Sequence, residues 1–169
     1  MSSTLARALP LLGIIVALYA LYVEHRKSVD SSYEAMCDIE GVGKCSDVLL
    51  SEYGHILSKW GLVAPGSPLD VPNPVLGILY YLLVLLWPLP SRQPVLAAAA
   101  LSLAFSAYLA WVLATVLKDF CLVCVTSYVV NAGIFAVEAC LPVVAPGAKA
   151  AEGAAPPTAG RKGGEGKTD

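Results

Sequence analysis

The sequence predicts an all-α protein: a bundle of four transmembrane helices with a long cap loop between helices 1 and 2. Three observations carry that expectation. Hydrophobic residues make up 57% of the 169-residue chain and charged residues 14%, against roughly 45–50% and about 25% in soluble domains. The apolar residues gather into four runs almost free of charge. Two of the three connections between runs are a few residues long, so consecutive helices must be antiparallel neighbours. The balance of 11 basic against 13 acidic residues gives a formal charge of -2. That leaves no basic excess to hold a phosphate backbone and argues against nucleic acid as a partner.

The first run, ALPLLGIIVALYALYV between Arg7 and Glu24, is slightly short of the roughly 20 residues of a spanning helix and spans if its flanks snorkel. A cleaved signal peptide is the alternative, but the A-x-A cleavage pattern is missing. The second run, PVLGILYYLLVLLWPLP from Pro74 to Pro90, opens with a proline that a first helical turn tolerates. Pro88 and Pro90 end it. Gln93 to Leu117 contains no charge and carries small residues at helical spacing, which let membrane helices approach closely. After the Lys118-Asp119 break the fourth run, FCLVCVTSYVVNAGIFAVEACLPVV, holds one acid, Glu138.

The connection over 24–73 far exceeds what joining two helices requires, and loops this long are usually functional. Within it Ser46 is expected to cap a short helix through DVLLSEY, ended by Gly54. Ile56, Leu57 and Trp60 offer apolar contacts for lying on a bilayer or on the bundle. From Ala145 the chain is mostly Ala, Gly, Pro and Lys, without an aromatic residue, so 145–169 is expected to be a disordered tail behind a membrane domain over 1–144.

Four crossings put both termini on one side and the long loop together with the Lys118-Asp119 turn on the other. Arg7, Arg92 and four tail residues lie on the terminal side, and Arg26, Lys27, Lys44, Lys59 and Lys118 opposite. That distribution favours cytoplasmic termini only weakly.

The chemistry resides in cysteines. C-L-V-C places Cys121 and Cys124 where the fourth helix begins, three apart and therefore on one face, with Cys124 about 4.5 Å deeper. A thiol near a helix N-terminus gains thiolate character from the helix dipole. Cys37 and Cys45 lie in the long loop, on the same side of the membrane under this topology. Either can then approach Cys121, and a thiolate attacking a neighbouring disulfide would pass two electrons along. A permanent Cys37-Cys45 bridge pinning the loop, or a Zn²⁺ site, are the competing readings; the spacing of Cys37 and Cys45, and of His25 and His55, suits a metal poorly. Cys140 stands apart and is expected to serve packing. Tyr128 at i+4 from Cys124, and Asn131 a turn further, continue the stripe of polar groups inward, and Asn73 at the mouth of helix 2 could reach the same pocket. A flat carbonyl-bearing ring would fit there. Equally, Tyr128 and Asn131 could bridge helices and Asn73 could cap one.

Taken together, these residues resemble the vitamin K epoxide reductase family, in its animal-type single-domain form or the reductase-like paralogue. The resemblance rests on C-D-I-E-G-V-G-K-C-S from Cys37, N-P-V-L-G from Asn73, Y-L-A-W from Tyr108 and D-F-C-L-V-C-V-T-S-Y-V-V-N from Asp119. It implies a four-helix bundle around a quinone site beneath a lumenal cap, in the endoplasmic reticulum membrane, with cytosolic termini. It further implies that Cys124 attacks the substrate and Cys121 resolves the adduct into the Cys121-Cys124 disulfide. Cys45 then reduces that bond and passes the oxidation to Cys37, which exchanges with thioredoxin-like lumenal oxidoreductases. Asn73 and Tyr128 match the donors to the two quinone oxygens. No tightly bound cofactor is implied, since vitamin K quinone or its epoxide is the substrate. Departures fall at Leu76, where the family often has Phe, at Tyr53, where it has Trp, and across HILSKWGLVAPGSPLDVP. No thioredoxin-like domain is fused, so a protein partner is expected from outside.

The expected activity is reduction of vitamin K 2,3-epoxide to the quinone and of the quinone to hydroquinone. One alternative is the same relay run toward disulfide generation with quinone as acceptor. Another is a non-enzymatic four-helix membrane protein with a structural loop disulfide.

Overall fold

A computed structural model describes residues 3–86 and 93–140, and all of the described regular structure is helical. Helix α1 spans Ser3–Val29, far longer than the apolar run that nucleates it. At 1.5 Å per residue its 27 residues extend about 40 Å, beyond the roughly 30 Å of a hydrocarbon core. The surplus last turns carry Glu24 and Lys27 up into the cap. Lys27 Nζ donates to Tyr33 O at 3.0 Å and lies 3.6 Å from Asp47. Glu24 Oε1 meets His55 Nε2 at 3.3 Å.

Helix α4 spans Asn73–Leu86, α5 Gln93–Val112 and α6 Leu122–Cys140. Three helices, Ala6–Val29, Gln93–Leu117 and Leu122–Cys140, are long and apolar enough to cross a membrane. Helix α4 is apolar but shorter. Pro88 and Pro90, expected to end that run, and the expected disordered tail over 145–169 lie outside the described residues. Helix α1 packs along α4 and α6, and α5 along α6, while α4 and α5 meet only sparsely. Gly13 permits the α1–α4 contact: a Cβ there would stand 2.5–2.7 Å from ring atoms of Tyr81. Across the centre, Tyr81 Oη donates to Asn131 Oδ1 at 2.9 Å and Asn131 Nδ2 donates to Ser106 Oγ at 2.8 Å. Three helices are thereby joined by two hydrogen bonds that lipid cannot supply.

The cap is built from short pieces: α2 over Cys45–Leu49, a 3₁₀ turn over Glu52–Gly54 and α3 over Ile56–Lys59. This corrects the expectation that Ser46 caps one helix running to Gly54. Ser46 lies inside the first turn of α2, fully buried, and its hydroxyl donates to Asp38 Oδ2 at 2.8 Å. Asp38 also accepts Ser46 N and Ala35 N at 2.9 and 2.8 Å. Burial works to raise the Asp38 carboxyl, but these donors prevail and hold it below the usual carboxylate range. The 37–45 segment folds back as a turn closed by the Ile39–Gly43 bridge. Ile56 is buried, and Trp60 packs edge-on against Phe105 of α5 with ring centroids 6.0 Å apart. Cap apolar residues therefore dock on the bundle.

Between α5 and α6 the chain passes through a π-helical turn, Leu113–Leu117, and Lys118 in the left-handed region at φ 50°. An L residue adopts that conformation only where its surroundings fix it. Here it reverses the chain in time for α6 to begin beside the cap.

Candidate functional site

Four cysteines meet where the cap sits on α6. Cys45 and Cys121 are fully buried, Cys37 is buried and Cys124 is half-buried, and all four are free thiols. Their side chains adjoin one another in the order Cys37, Cys45, Cys121, Cys124. Linear order follows from the fold: the 37–45 turn presents its second cysteine to the α6 N-terminus, and helical spacing carries the path inward from Cys121 to Cys124.

Electrostatics at this ladder are opposed. Burial and the adjacent Cys45 thiol push Cys37 up to about 12. Contact with Cys121, then burial, drive Cys45 upward, and the Cys124 thiol with burial raises Cys121. Reduced, the ladder thus stores protons as well as electrons. Acting against this, the first turn of α6 offers its unpaired backbone donors to sulfur. Cys124 N lies 3.3 Å from Cys121 Sγ, and the Val123 backbone amide beside Cys45 favours its thiolate. Negative charge passing among these sulfurs during exchange would sit on helix N-terminal N–H groups, where it is stabilised.

Beneath the ladder lies a cavity of about 890 Å³, enclosed by α4, α5, α6, the inner face of α1 and the cap. That is within the roughly 300–1,000 Å³ of small-molecule sites. Cys124, Tyr128, Asn131 and Asn73 all line it, as do the two departure positions Leu76 and Tyr53. Cys121 lies behind Cys124, out of the cavity wall. The Tyr128 hydroxyl is within hydrogen-bonding reach of the Cys124 thiol. Asn73 faces the cavity while pinning the cap: its Nδ2 donates to Tyr53 O at 2.6 Å and its Oδ1 accepts Ile56 N at 3.2 Å. Of its two amide hydrogens Tyr53 takes one. Asn131, in contrast, spends both ends of its amide on Tyr81 and Ser106. Cys140 is exposed at the end of α6, which corrects the expectation that it packs. No cluster of three or more His, Cys, Asp or Glu side chains placed to hold a metal occurs among the described residues.

Sequence reasoning missed several participants. Tyr19 of α1 reaches the Cys37 thiol, and Tyr81 and Ser106 complete the network that immobilises Asn131. No local pattern marks them, because each is brought in by a different helix. Trp60 was visible only as an apolar residue, yet with Leu57 it forms part of the cavity wall.

Apolar helices that hold a ladder of thiols against an apolar cavity define a membrane oxidoreductase. The model of the vitamin K epoxide reductase family matches residues 5–139. Similar proteins include the vitamin K epoxide reductase complex subunit 1 of Mus musculus, 38% identical over 135 residues that cover 75% of this chain and 82% of the mouse protein. The Rattus norvegicus subunit is 37% identical over the same extent. The chain belongs to the vitamin K epoxide reductase family. Membership makes it an enzyme and removes the non-enzymatic reading.

Proposed function

We propose that the chain reduces vitamin K 2,3-epoxide to the quinone, and the quinone to hydroquinone, with electrons drawn through Cys37, Cys45, Cys121 and Cys124. The observation that carries this is the row of four adjoining thiols whose last member stands in the wall of an apolar cavity of about 890 Å³. The Cys124 thiolate attacks an epoxide carbon and the C–O bond opens, with its oxygen protonated. Cys121 attacks Cys124 Sγ and the C–S bond breaks. The ring carbon left with the electron pair expels the neighbouring hydroxyl, which departs with a proton as water, and the quinone forms; the Cys121-Cys124 pair, now a disulfide, has given two electrons to the substrate. Donation from Tyr128, and from the remaining amide hydrogen of Asn73, stabilises charge developing on the two ring oxygens. The sparse α4–α5 seam, with exposed Leu79 and Leu101 beside the cavity, gives an apolar tail a path into lipid.

Cys45 then reduces the Cys121-Cys124 bond and Cys37 takes over the oxidation. Exposed Met36, Ile39 and Val42 lie near Cys37 along the cap turn and suit docking by a thioredoxin-like lumenal oxidoreductase. In this reading residues 1–144 form a four-crossing redox domain of the endoplasmic reticulum membrane, with the cap over 24–73 in the lumen and the 145–169 tail cytosolic. The substrate is the only cofactor-like molecule required.

Purified protein given the epoxide and a dithiol should release quinone. Cys124→Ala should abolish turnover with binding largely retained, and Cys121→Ala should accumulate a Cys124 adduct readable by mass spectrometry. Failure of wild type to form quinone would leave the opposite direction, oxidation of thioredoxin-like partners by quinone. Full activity in Cys124→Ala would remove the thiol mechanism altogether.

A further inference from the structure

We propose that Asp119 is a positioning residue that sets the approach of Cys45 to Cys121; this rests on the thiol relay put forward above. A single carboxylate oxygen, Asp119 Oδ1, accepts two backbone N–H groups. Lys44 N lies at 3.0 Å and Phe120 N at 2.7 Å. Lys44 is the residue before Cys45, and Phe120 the residue before Cys121. One atom therefore ties together the two peptide segments that carry the exchanging sulfurs, although 75 positions separate Lys44 from Asp119 in sequence.

Two neighbours make the clamp possible. Lys118 takes the left-handed conformation that reverses the chain immediately before Asp119. Gly43 lets the cap turn press against this bend, since a Cβ there would collide with Phe120 O and stand 2.6 Å from Asp119 Oδ1. The carboxylate touches neither sulfur nor the cavity wall. Its effect is confined to where Cys45 stands when it attacks.

That attack is an internal step. The Cys45 thiolate bonds to Cys121 Sγ of the Cys121-Cys124 disulfide, and Cys124 leaves as a thiolate that takes up a proton. Cys37 then attacks Cys45 Sγ, the Cys37-Cys45 disulfide forms, and Cys121 is released and protonated. Two electrons move from the cap pair to the CxxC pair with no outside reagent. Sulfur displacement requires in-line alignment of three atoms, so loosening the clamp slows this step and not the quinone chemistry that precedes it.

The test follows hydroquinone formation, without oxygen or added thiol, after mixing fully reduced protein with excess vitamin K quinone. Four thiols hold electrons for two quinones, so wild type should yield two equivalents, the second timed by internal exchange. Asp119→Ala should keep the first phase within about twofold and slow the second by at least about tenfold, the scale of small misplacements at a reacting centre. Asp119→Asn, which keeps an acceptor oxygen, should bring the second phase back to within about threefold of wild type. Equal slowing of both phases by Asp119→Ala, or no slowing of the second, overturns the proposal. If Asp119→Ala does not fold, Asp119→Glu decides. A normal first phase with a slow second supports the clamp, and wild-type behaviour in both refutes it. A single equivalent from wild type would bring down the relay and this proposal together, whereas two equivalents indifferent to Asp119 would sink the proposal alone.

Discussion

Each thiol of the ladder has an environment that its neighbours in sequence do not reveal. Cys37 is the clearest case, pushed up to about 12 from an ordinary 9.0 by burial and by the Cys45 thiol. Below that value its thiolate fraction climbs tenfold with each pH unit. A small alkylating reagent, entering by the groove that Met36 and Tyr19 line beside it, should modify Cys37 of the reduced protein ever faster between about pH 7 and about pH 10, past the point where a free thiol levels off near about 8.5. Stability follows the same sign. Because the folded value is raised, the reduced cap holds its full contribution below the unfolded value of 9.0 and loses it as pH rises from there toward about 12. A plateau in alkylation near pH 9, quantified by mass spectrometry, would contradict the burial argument. Asn131 shows the opposite lesson. Its type and spacing mark it as a polar group facing the bundle interior, and it does face inward. Only the partners Tyr81 and Ser106 reveal that its amide is already engaged.

Elements were legible where composition alone decides them. Charge-free stretches had to become helices because a membrane leaves no other partner for backbone N–H and C=O groups, and α5 and α6 begin within a residue or two of the expected positions. Helix α1 overran its apolar core because nothing between Glu24 and Val29 stops a helix, and its charged last turns gain contacts with the cap. In the cap, Ser46 followed by Asp47 reads as a helix start, but the hydroxyl finds Asp38 first. Close approach of elements is equally invisible in one dimension. Gly13 resembles any glycine of an apolar run until Tyr81 is found against it. Gly13→Ala should push that ring off its hydrogen bond to Asn131 and cost about 1–3 kcal/mol, the usual range for overpacking. Thermal unfolding in detergent measures this, and an unchanged midpoint would show that α1 and α4 separate freely.

At the scale of the molecule, the proposed function depends on placing the cap thiols beside the cavity at one end of one bundle. The cap turn over 37–45 and the bend at 118–121 are in direct contact, so both must lie on the same side of any membrane the bundle spans. Compartment can be assigned by chemistry. Ser31→Cys, at an exposed cap position, should react with a membrane-impermeant maleimide only when the lumenal face of sealed microsomes is opened. Labelling at position 31 in intact microsomes, from the cytosolic side, would invert the proposed orientation.

By itself the sequence determined that the chain is helical and membrane-embedded, that one cysteine pair lies within the long connection and another at the start of the last helix, and which family they mark. Those properties follow from composition and local spacing, which need no knowledge of distant residues. The tertiary structure alone decided the contact of the 37–45 turn with the start of α6, the different hydrogen-bond partners of Asn73 at the cavity and Asn131 in the helix network, and the carboxylate that joins Lys44 to Phe120. Each of these depends on segments tens of residues apart meeting in space, and packing, not local propensity, chooses which of them meet.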